Sequence, residues 1–314
     1  MKDQRLVVVH SPSSTVSKRY NHSVRPELLA ISTNVQEIVL SDVPYVVARD
    51  KIIEELRDGD IVIAAGGDGL VNATLDAVLT SGCKVTCAVM PLGNFNDFGR
   101  AVNGRTHDLA KILSSQIVDF HPLDLIVNGR HELYGMQYIT FGASAELTDW
   151  LNAPETRQLR RKLRGNSALF GAVCVLNYNK IFGNLGDIRS IIPSFERNGK
   201  THNENNIGFM IGGIGGYFYP KPGNLHLFDQ QFWFHYANLT GKAGRDVPYL
   251  TSWFGRHIPG EISDHEKLLF REPIDLVTQV AGDKLLFENV REIACLRSKK
   301  PLRLYMPNAN SLLR

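Results

Sequence analysis

The sequence predicts an N-terminal α/β domain built on a parallel sheet, followed by a C-terminal antiparallel β-rich domain. Three observations predict it. Over the first 120 residues, short apolar runs alternate with segments of helical spacing, the pattern of a parallel sheet covered on both faces. After about residue 122 that alternation gives way to strand-like runs separated by turn signals. The length of 314 residues also exceeds what one hydrophobic core usually covers, so two domains are expected.

The elements follow in order. RLVVVH (5–10) breaks at SPSS (11–14) and reads as a strand entering a turn. Residues 46–56 fit a helix that Gly59 stops. IVIAA (61–65) is the next strand, and VNATLDAVL (71–79) carries apolar residues at helical spacing. KVTCAVM (84–90) is a third strand ending on Pro91, Leu92 and Gly93, and residues 108–113 form a short helix. Residues 123–138 hold two strands around Asn128 and Gly129, a strong hairpin signal. Further strands are expected at 206–211, 231–239, 274–280 and 284–287, with one helix at 167–182. The expected domains are therefore 1–122 and 123–300, with a segment 301–314 free to return to the first of them.

Composition narrows the function classes. With 43% hydrophobic and 21% charged residues the chain is an ordinary globular one. A net charge of +3 does not argue for nucleic acid, and no such partner is expected. No run approaches the ~20 apolar residues of a membrane span, and the start MKDQRLVVVHSPSS has no signal-peptide layout, so a cytoplasmic location is expected. Cys83, Cys87, Cys174 and Cys295 lack the companion ligands of a zinc site and are expected as reduced thiols. His10, His107 and His121 show no metal spacing, and the aromatic clusters 217–219 and 232–234 fit the β core. The basic run RQLRRKLR (157–164) is either a solvated face or a contact for anionic lipid headgroups.

The chemistry-bearing residues sit in two turns. GGDG (66–69) ends the strand at 61–65 and opens the next helix, the place where open α/β sheets bind ligands. Glycines allow a tight turn and a close ligand approach, and exposed N–H groups favour an anion such as phosphate. Asp68 would be repelled by that phosphate unless a divalent cation lies between them or the carboxylate meets a hydroxyl. Its plain alternative is a cap for the helix beginning near Leu70. The spacing is not that of a Walker A loop. PLGNFNDFGR (91–100) follows the next strand, so both turns should open at one sheet edge. Asn96 and Asp97 suit sugar hydroxyls or an adenine edge, their alternative being an Asx turn.

GGDG followed by PLGNFNDFGR resembles the diacylglycerol kinase catalytic domain family, which includes bacterial lipid kinases and sphingosine kinases and is more distantly similar to NAD kinases. SPSST (11–15), LDL (123–125), FGASA (141–145) and GGIGG (212–216) lie where that family has corresponding segments. The resemblance implies ATP-dependent phosphorylation of a lipid hydroxyl, with ATP and Mg²⁺ as cofactors and the nucleotide between the domains. It implies that Gly66, Gly67 and Gly69 cradle the phosphates, with Ser13 and Ser14 adding contacts and Gly93, Asn94, Asn96 and Asp97 serving the nucleotide. Asp68 and Asp283 become the catalytic residues, and Asp68, Asp229 and Asp283 the metal carboxylates. Expected partners are the lipid, an anionic membrane reached from its inner face through 157–164, and a second copy of the chain.

The chain departs from the family pattern at several positions. Leu70 replaces a hydroxyl residue after GGDG, Asn94 and Phe95 replace Thr and Gly, and Ser11 and Thr15 alter the first turn. The family's Asp-Gly-Glu reads Ala281-Gly282-Asp283, and no Asp-Asp-Gly follows the glycine-rich stretch, where Asp229 is followed by Gln230. Loss of a carboxylate for proton transfer costs on the order of 10²–10⁴ in rate. The alternatives are therefore a catalytically impaired nucleotide- and lipid-binding protein, or a kinase for a soluble hydroxyl compound.

Overall fold

A computed structural model of the chain describes residues 4–12, 14–41, 43–93, 96–104, 106–142, 145, 194–202, 206–212, 231–238 and 261–307. The helix expected at 167–182 lies outside them. β1 (Leu6–His10) and β3 (Ile61–Gly66) are buried at every position because helices cover both faces of the sheet they centre. β2 (Val35–Val39), with a half-buried pattern, forms one edge. β4 (Thr86–Pro91) and β5 (Ile117–Phe120) continue the other side. The strand Leu302–Tyr305, β16 of the full count, inserts between them, giving the order β2-β1-β3-β4-β16-β5.

The helices follow the sequence where apolar spacing was clear. α3 (Tyr45–Glu55) starts one residue early, and α4 (Asp68–Ser81) begins inside the glycine turn and stops at Gly82, which is left-handed at φ 72°. Residues 14–31, unassigned by pattern, form α1 (Ser14–Arg19), a π-helical turn (Tyr20–Val24) and α2 (Arg25–Ile31). Pro26 sits in the first turn of α2, where a missing N–H costs nothing. The segment read as a possible Asx turn instead enters a helix, α5 (Asp97–Asn103). Gly99 lets it pack tightly on β4, since a Cβ there would lie 2.7 Å from Pro91 Cβ. α6 (Leu109–Leu113) is capped by Asp108, whose side chain accepts from Lys111 N at 2.9 Å.

Among the described residues the second sheet has ten strands. β6 (Leu123–Val127) and β7 (Arg130–Gly135) make the expected hairpin, with Asn128 at φ 49° and Gly129 at φ 77° in a primed turn. β8 (Tyr138–Gly142), β9 (Phe195–Arg197), β10 (Lys200–His202), β11 (Asn206–Gly212), β12 (Phe232–Asn238) and β13 (Glu261–Ser263) follow. The last pair, β14 (His265–Val280) and β15 (Asp283–Arg297), is far longer than the short strands expected at 274–280 and 284–287. Its outer part alternates buried and exposed residues, and the register shifts between Leu269 and Ile274.

The tip of that hairpin is the two-residue turn Ala281-Gly282, with φ of 50° and 99°. Such a turn favours Asn, Asp or Gly at its first position, and a left-handed alanine costs about 1 kcal/mol. Ala281 is buried, so Ala281→Gly, which adds no bulk, is expected to stabilise the chain by up to about 1 kcal/mol in a denaturant melt, with the slope of the transition unchanged.

Among the described residues two apolar clusters flank the first sheet, and a third packs against the second sheet. Tyr45 of α3 and Ala73 of α4 belong to that third cluster, so the second sheet rests on these two helices. A buried polar latch joins them. Asn72 donates to Tyr45 Oη at 2.8 Å and to Tyr134 O at 3.0 Å, and its Oδ1 accepts from Met136 N at 2.9 Å. Asp76, fully buried, accepts from Tyr45 Oη at 3.0 Å and from Tyr134 N at 3.0 Å, with Arg49 Nη1 3.5 Å away. Burial pushes its carboxyl above the ordinary value, and the Tyr134 N–H, Arg49 and the Tyr45 hydroxyl counter part of that. Among the described residues no helix is long and apolar enough to cross a membrane. Cys83, Cys87 and Cys295 are free thiols, and Cys174 lies outside the described residues.

Candidate active site

The two glycine-bearing turns meet because β3 and β4 are parallel neighbours, with Gly66 opposite Pro91. Gly66 O accepts from Leu92 N at 2.9 Å and Gly93 N at 3.1 Å, fastening one turn to the other. Their backbones touch: a Cβ on Gly93 would lie 2.4 Å from Gly67 Cα, a distance that neither chain could yield. A Cβ on Gly66 would meet Leu70 Cδ2 at 2.9 Å, so Leu70 packs over the turn where the family has a hydroxyl.

Asp68 does not cap its own helix. Gly67 occupies the N-cap of α4, with no side-chain cap bond, and Asp68 Oδ1 instead accepts from Phe98 N at 3.3 Å. The amides of Asp97 and Asn96 add to this, so Asp68 holds the start of α5. Burial raises its carboxyl to about 6, the neighbouring Asp97 charge adding to the rise and the amides opposing it. Asn96 is left-handed at φ 52°, and its Nδ2 donates to Gly93 O at 2.7 Å. Asn96 and Asp97 are each 8% exposed.

Asp283 reaches the same turn from the second sheet. It is the first residue of β15, just past the Ala281-Gly282 turn, and a Cβ on Gly69 would sit 2.6 Å from its Oδ2. The missing side chain of Gly69 is what admits this carboxylate. Burial raises it to about 6 as well. Asp283 borders a cavity of about 180 Å³ whose other walls include Ser11, Leu40, Val43, Tyr45 and Leu70. No cation lines it.

Gly66, Gly67, Asp68, Gly69, Gly93, Asn96, Asp97 and Asp283 thus converge on one edge. Ser13, Asn94 and Asp229 lie outside the described residues, as does the side chain of Ser14. Sequence reasoning missed a groove of about 430 Å³ on the other flank of the Gly93 turn, bordered by Arg19, Asn96, Arg100 and His107. Arg100 stood unassigned at the end of PLGNFNDFGR, whereas Arg19 belongs to no motif. The latch residues Asn72 and Asp76 did leave a signal, as two polar residues four apart on an otherwise apolar helix.

Residues 5–126 match the family model of the diacylglycerol kinase catalytic domain. The chain is 30% identical over 95 residues to a diacylglycerol kinase of Bacillus subtilis (strain 168), a match spanning 30% of each chain. It is likewise 30% identical over 92 residues to a diacylglycerol kinase of Staphylococcus haemolyticus, covering 29% of this chain and 26% of that one. The matched stretch is thus less than a third of the length of these relatives. A crystal structure of a diacylglycerol kinase from Bacillus anthracis str. Sterne superposes over 96% of this chain and 97% of that chain, with a TM-score of 0.56 at 14% identity, and so shares the fold.

Proposed function

We propose that the chain is an ATP-dependent lipid kinase that transfers the γ-phosphate to a hydroxyl of diacylglycerol or a related lipid. The observation that carries this reading is the meeting of Asp283 with Gly69, which sets a carboxylate from the second sheet against the glycine turn of the first. Phosphoryl transfer asks a protein mainly to position reactants and neutralise charge. Gly66, Gly67 and Gly69 would take the phosphates on an open backbone, with Asn96 and Asp97 at the nucleoside end. Asp283, with a pKa near 6, is ionised at neutral pH yet basic enough to take the proton of the acceptor hydroxyl. Leu40, Val43 and Leu70 leave an apolar approach for an alcohol carried on hydrocarbon.

The residues present fit Mg²⁺ brought in with the nucleotide. Among the described residues no group of three or more His, Cys, Asp or Glu side chains would hold a metal alone. Mg²⁺ commonly uses one or two carboxylates and completes its shell with phosphate oxygens and water. Asp68 beside Asp97 supplies two carboxylates whose repulsion a divalent cation would relieve, and Asp283 is the other candidate. When bound, the ion would neutralise charge on the phosphate oxygens. The basic run 157–164, outside the described residues, remains the proposed contact for an anionic membrane.

Incubation with radiolabelled Mg-ATP and a panel of lipids in mixed micelles tests the reading. Labelled lipid should form, and Asp68→Asn should abolish it while the thermal melt persists, since an amide oxygen still accepts from Phe98 N. Turnover untouched by Asp68→Asn would remove the role given to that residue. Ala281, standing where the family has a carboxylate, favours a second reading, a binding protein with little turnover. Tight ATP binding without product from any lipid would select it. Labelling of a soluble alcohol that ignores detergent would select a soluble acceptor.

A further inference from the structure

We infer that Gln137 determines acceptor specificity, binding a second polar group on a partly esterified glycerol whose free hydroxyl lies at Asp283. This rests on the lipid-acceptor reading above and names the class of lipid it implies. Gln137 is 1% exposed, and neither its Oε1 nor its Nε2 has a hydrogen-bond partner. Nearby buried amides are engaged: Asn72 makes three bonds, and Gln279 accepts from Thr140 Oγ1 at 2.6 Å. Among the described residues Gln137 is the only buried amide with both ends unpaired. Flipping the amide changes nothing, since the oxygen and the nitrogen both lack a partner. Burying a polar group unpaired costs stability, so an amide kept this way points to a partner that arrives with a ligand.

Two sets of contacts place Gln137 near Asp283. It is the second residue of the two-residue link between β7 and β8. On one side, Met136 N donates to Asn72 Oδ1 at 2.9 Å, and Asn72 lies about one helical turn along α4 from Gly69, where Asp283 docks. On the other side, Ile139 pairs with Val280 of β14, which pairs with Asp283 of β15. Neighbouring strands lie about 4.8 Å apart, so Ile139 and Asp283 are roughly 10 Å apart on one face of the sheet. Because β8 runs antiparallel to β14, Gln137 lies beyond Ile139 on the side of the Ala281-Gly282 tip. These separations are on the scale of a glycerol unit carrying an ester. A glutamine amide offers two donors on nitrogen and an acceptor on oxygen. An ester carbonyl would accept from Nε2, and a second hydroxyl would donate to Oε1. Diacylglycerol supplies the first and monoacylglycerol both, whereas a plain long-chain alcohol supplies neither. Sites built to hydrogen-bond a substrate group reject analogues that lack it.

Equilibrium binding without ATP tests this, with formation of labelled lipid followed separately. Calorimetry on the full chain compares dihexanoylglycerol, monohexanoylglycerol and octanol, for the unsubstituted chain and for Gln137→Met. Methionine keeps the length of the side chain and leaves no amide to bury, so the variant should melt no lower than the unsubstituted chain. Its preference for a glycerol ester over octanol should fall about tenfold or more, a ratio in which differences in hydrophobicity cancel. A fall confined to monohexanoylglycerol assigns the contact to a second hydroxyl, and a fall with both esters assigns it to the carbonyl. An unchanged preference in Gln137→Met, no preference for an ester in the unsubstituted chain, or a clearly lower melt of the variant overturns the inference. Ester selectivity lost in the variant while no lipid is labelled keeps the binding role of Gln137 and rejects the kinase. Labelled lipid with selectivity intact does the reverse.

Discussion

Asp283→Asn is expected to lower turnover by about 10²–10⁴-fold, the usual contribution of a positioned proton acceptor. An amide keeps the size of the side chain beside Gly69 and removes its basicity, so the nucleotide affinity should change little. In the unsubstituted chain the carboxylate must be ionised to act, and burial raises it to about 6. Turnover should therefore fall as pH drops through about 6, and the acid limb should be shallower in the residual rate of Asp283→Asn, where Asp68 alone still titrates there. A rate profile for Asp283→Asn with the same acid limb would assign the limb elsewhere. The same shift bears on stability with a definite sign. Asp68 and Asp283 each rise from 3.8 to about 6, so the folded chain holds protons that the unfolded chain releases. Their favourable contribution is complete below about 3.8 and is lost as pH rises through about 6, on the order of 1–3 kcal/mol per group.

Asp76→Ala is expected to cost about 3–5 kcal/mol of stability, the scale for removing one member of a buried charged network. The substitution strips partners from the Tyr45 hydroxyl and the Tyr134 amide, neither of which can turn to water. Asp76→Asn should recover part of the loss, since one oxygen can still accept. Amide hydrogen exchange separates this effect from general loosening: Tyr134 and Met136, which bond to Asp76 and Asn72, should lose protection first. A loss below about 1 kcal/mol would mean that apolar contact between α4 and the second sheet, not the latch, holds the two together.

The first sheet was legible where burial made the signal simple. IVIAA and KVTCAVM are strands covered on both faces, so their apolar runs and the turns that end them can be read directly, and with them GGDG and PLGNFNDFGR. Residues 14–31 were not legible, because their polar residues break the spacing and a π-helical turn interrupts the register. The outer half of the long hairpin was missed for a different reason. HEKLLFREP carries charges on its exposed face and a proline near the register shift, so the paired strands look like two fragments. The role of Asp68 also escaped the sequence: its acceptor function is set by the amides of the next turn, which only parallel pairing brings near. The groove cations lie on separate segments, and no spacing rule joins Arg19 to His107.

The place of β16 has its own consequence. The chain leaves the first sheet after β5, builds the whole second sheet, and comes back to occupy the slot between β4 and β5. Leu304 pairs with Cys87 on one side and with Val118 on the other, so the returning strand closes a gap in the sheet's interior. The stretch matched by the family, residues 5–126, is thus not a self-sufficient piece of architecture. Cut out alone, it would carry a cleft with two unpaired strand edges facing each other across the width of a missing strand. The second sheet is in effect a cassette spliced into the first, and the first closes its own fabric only once the cassette has been threaded through.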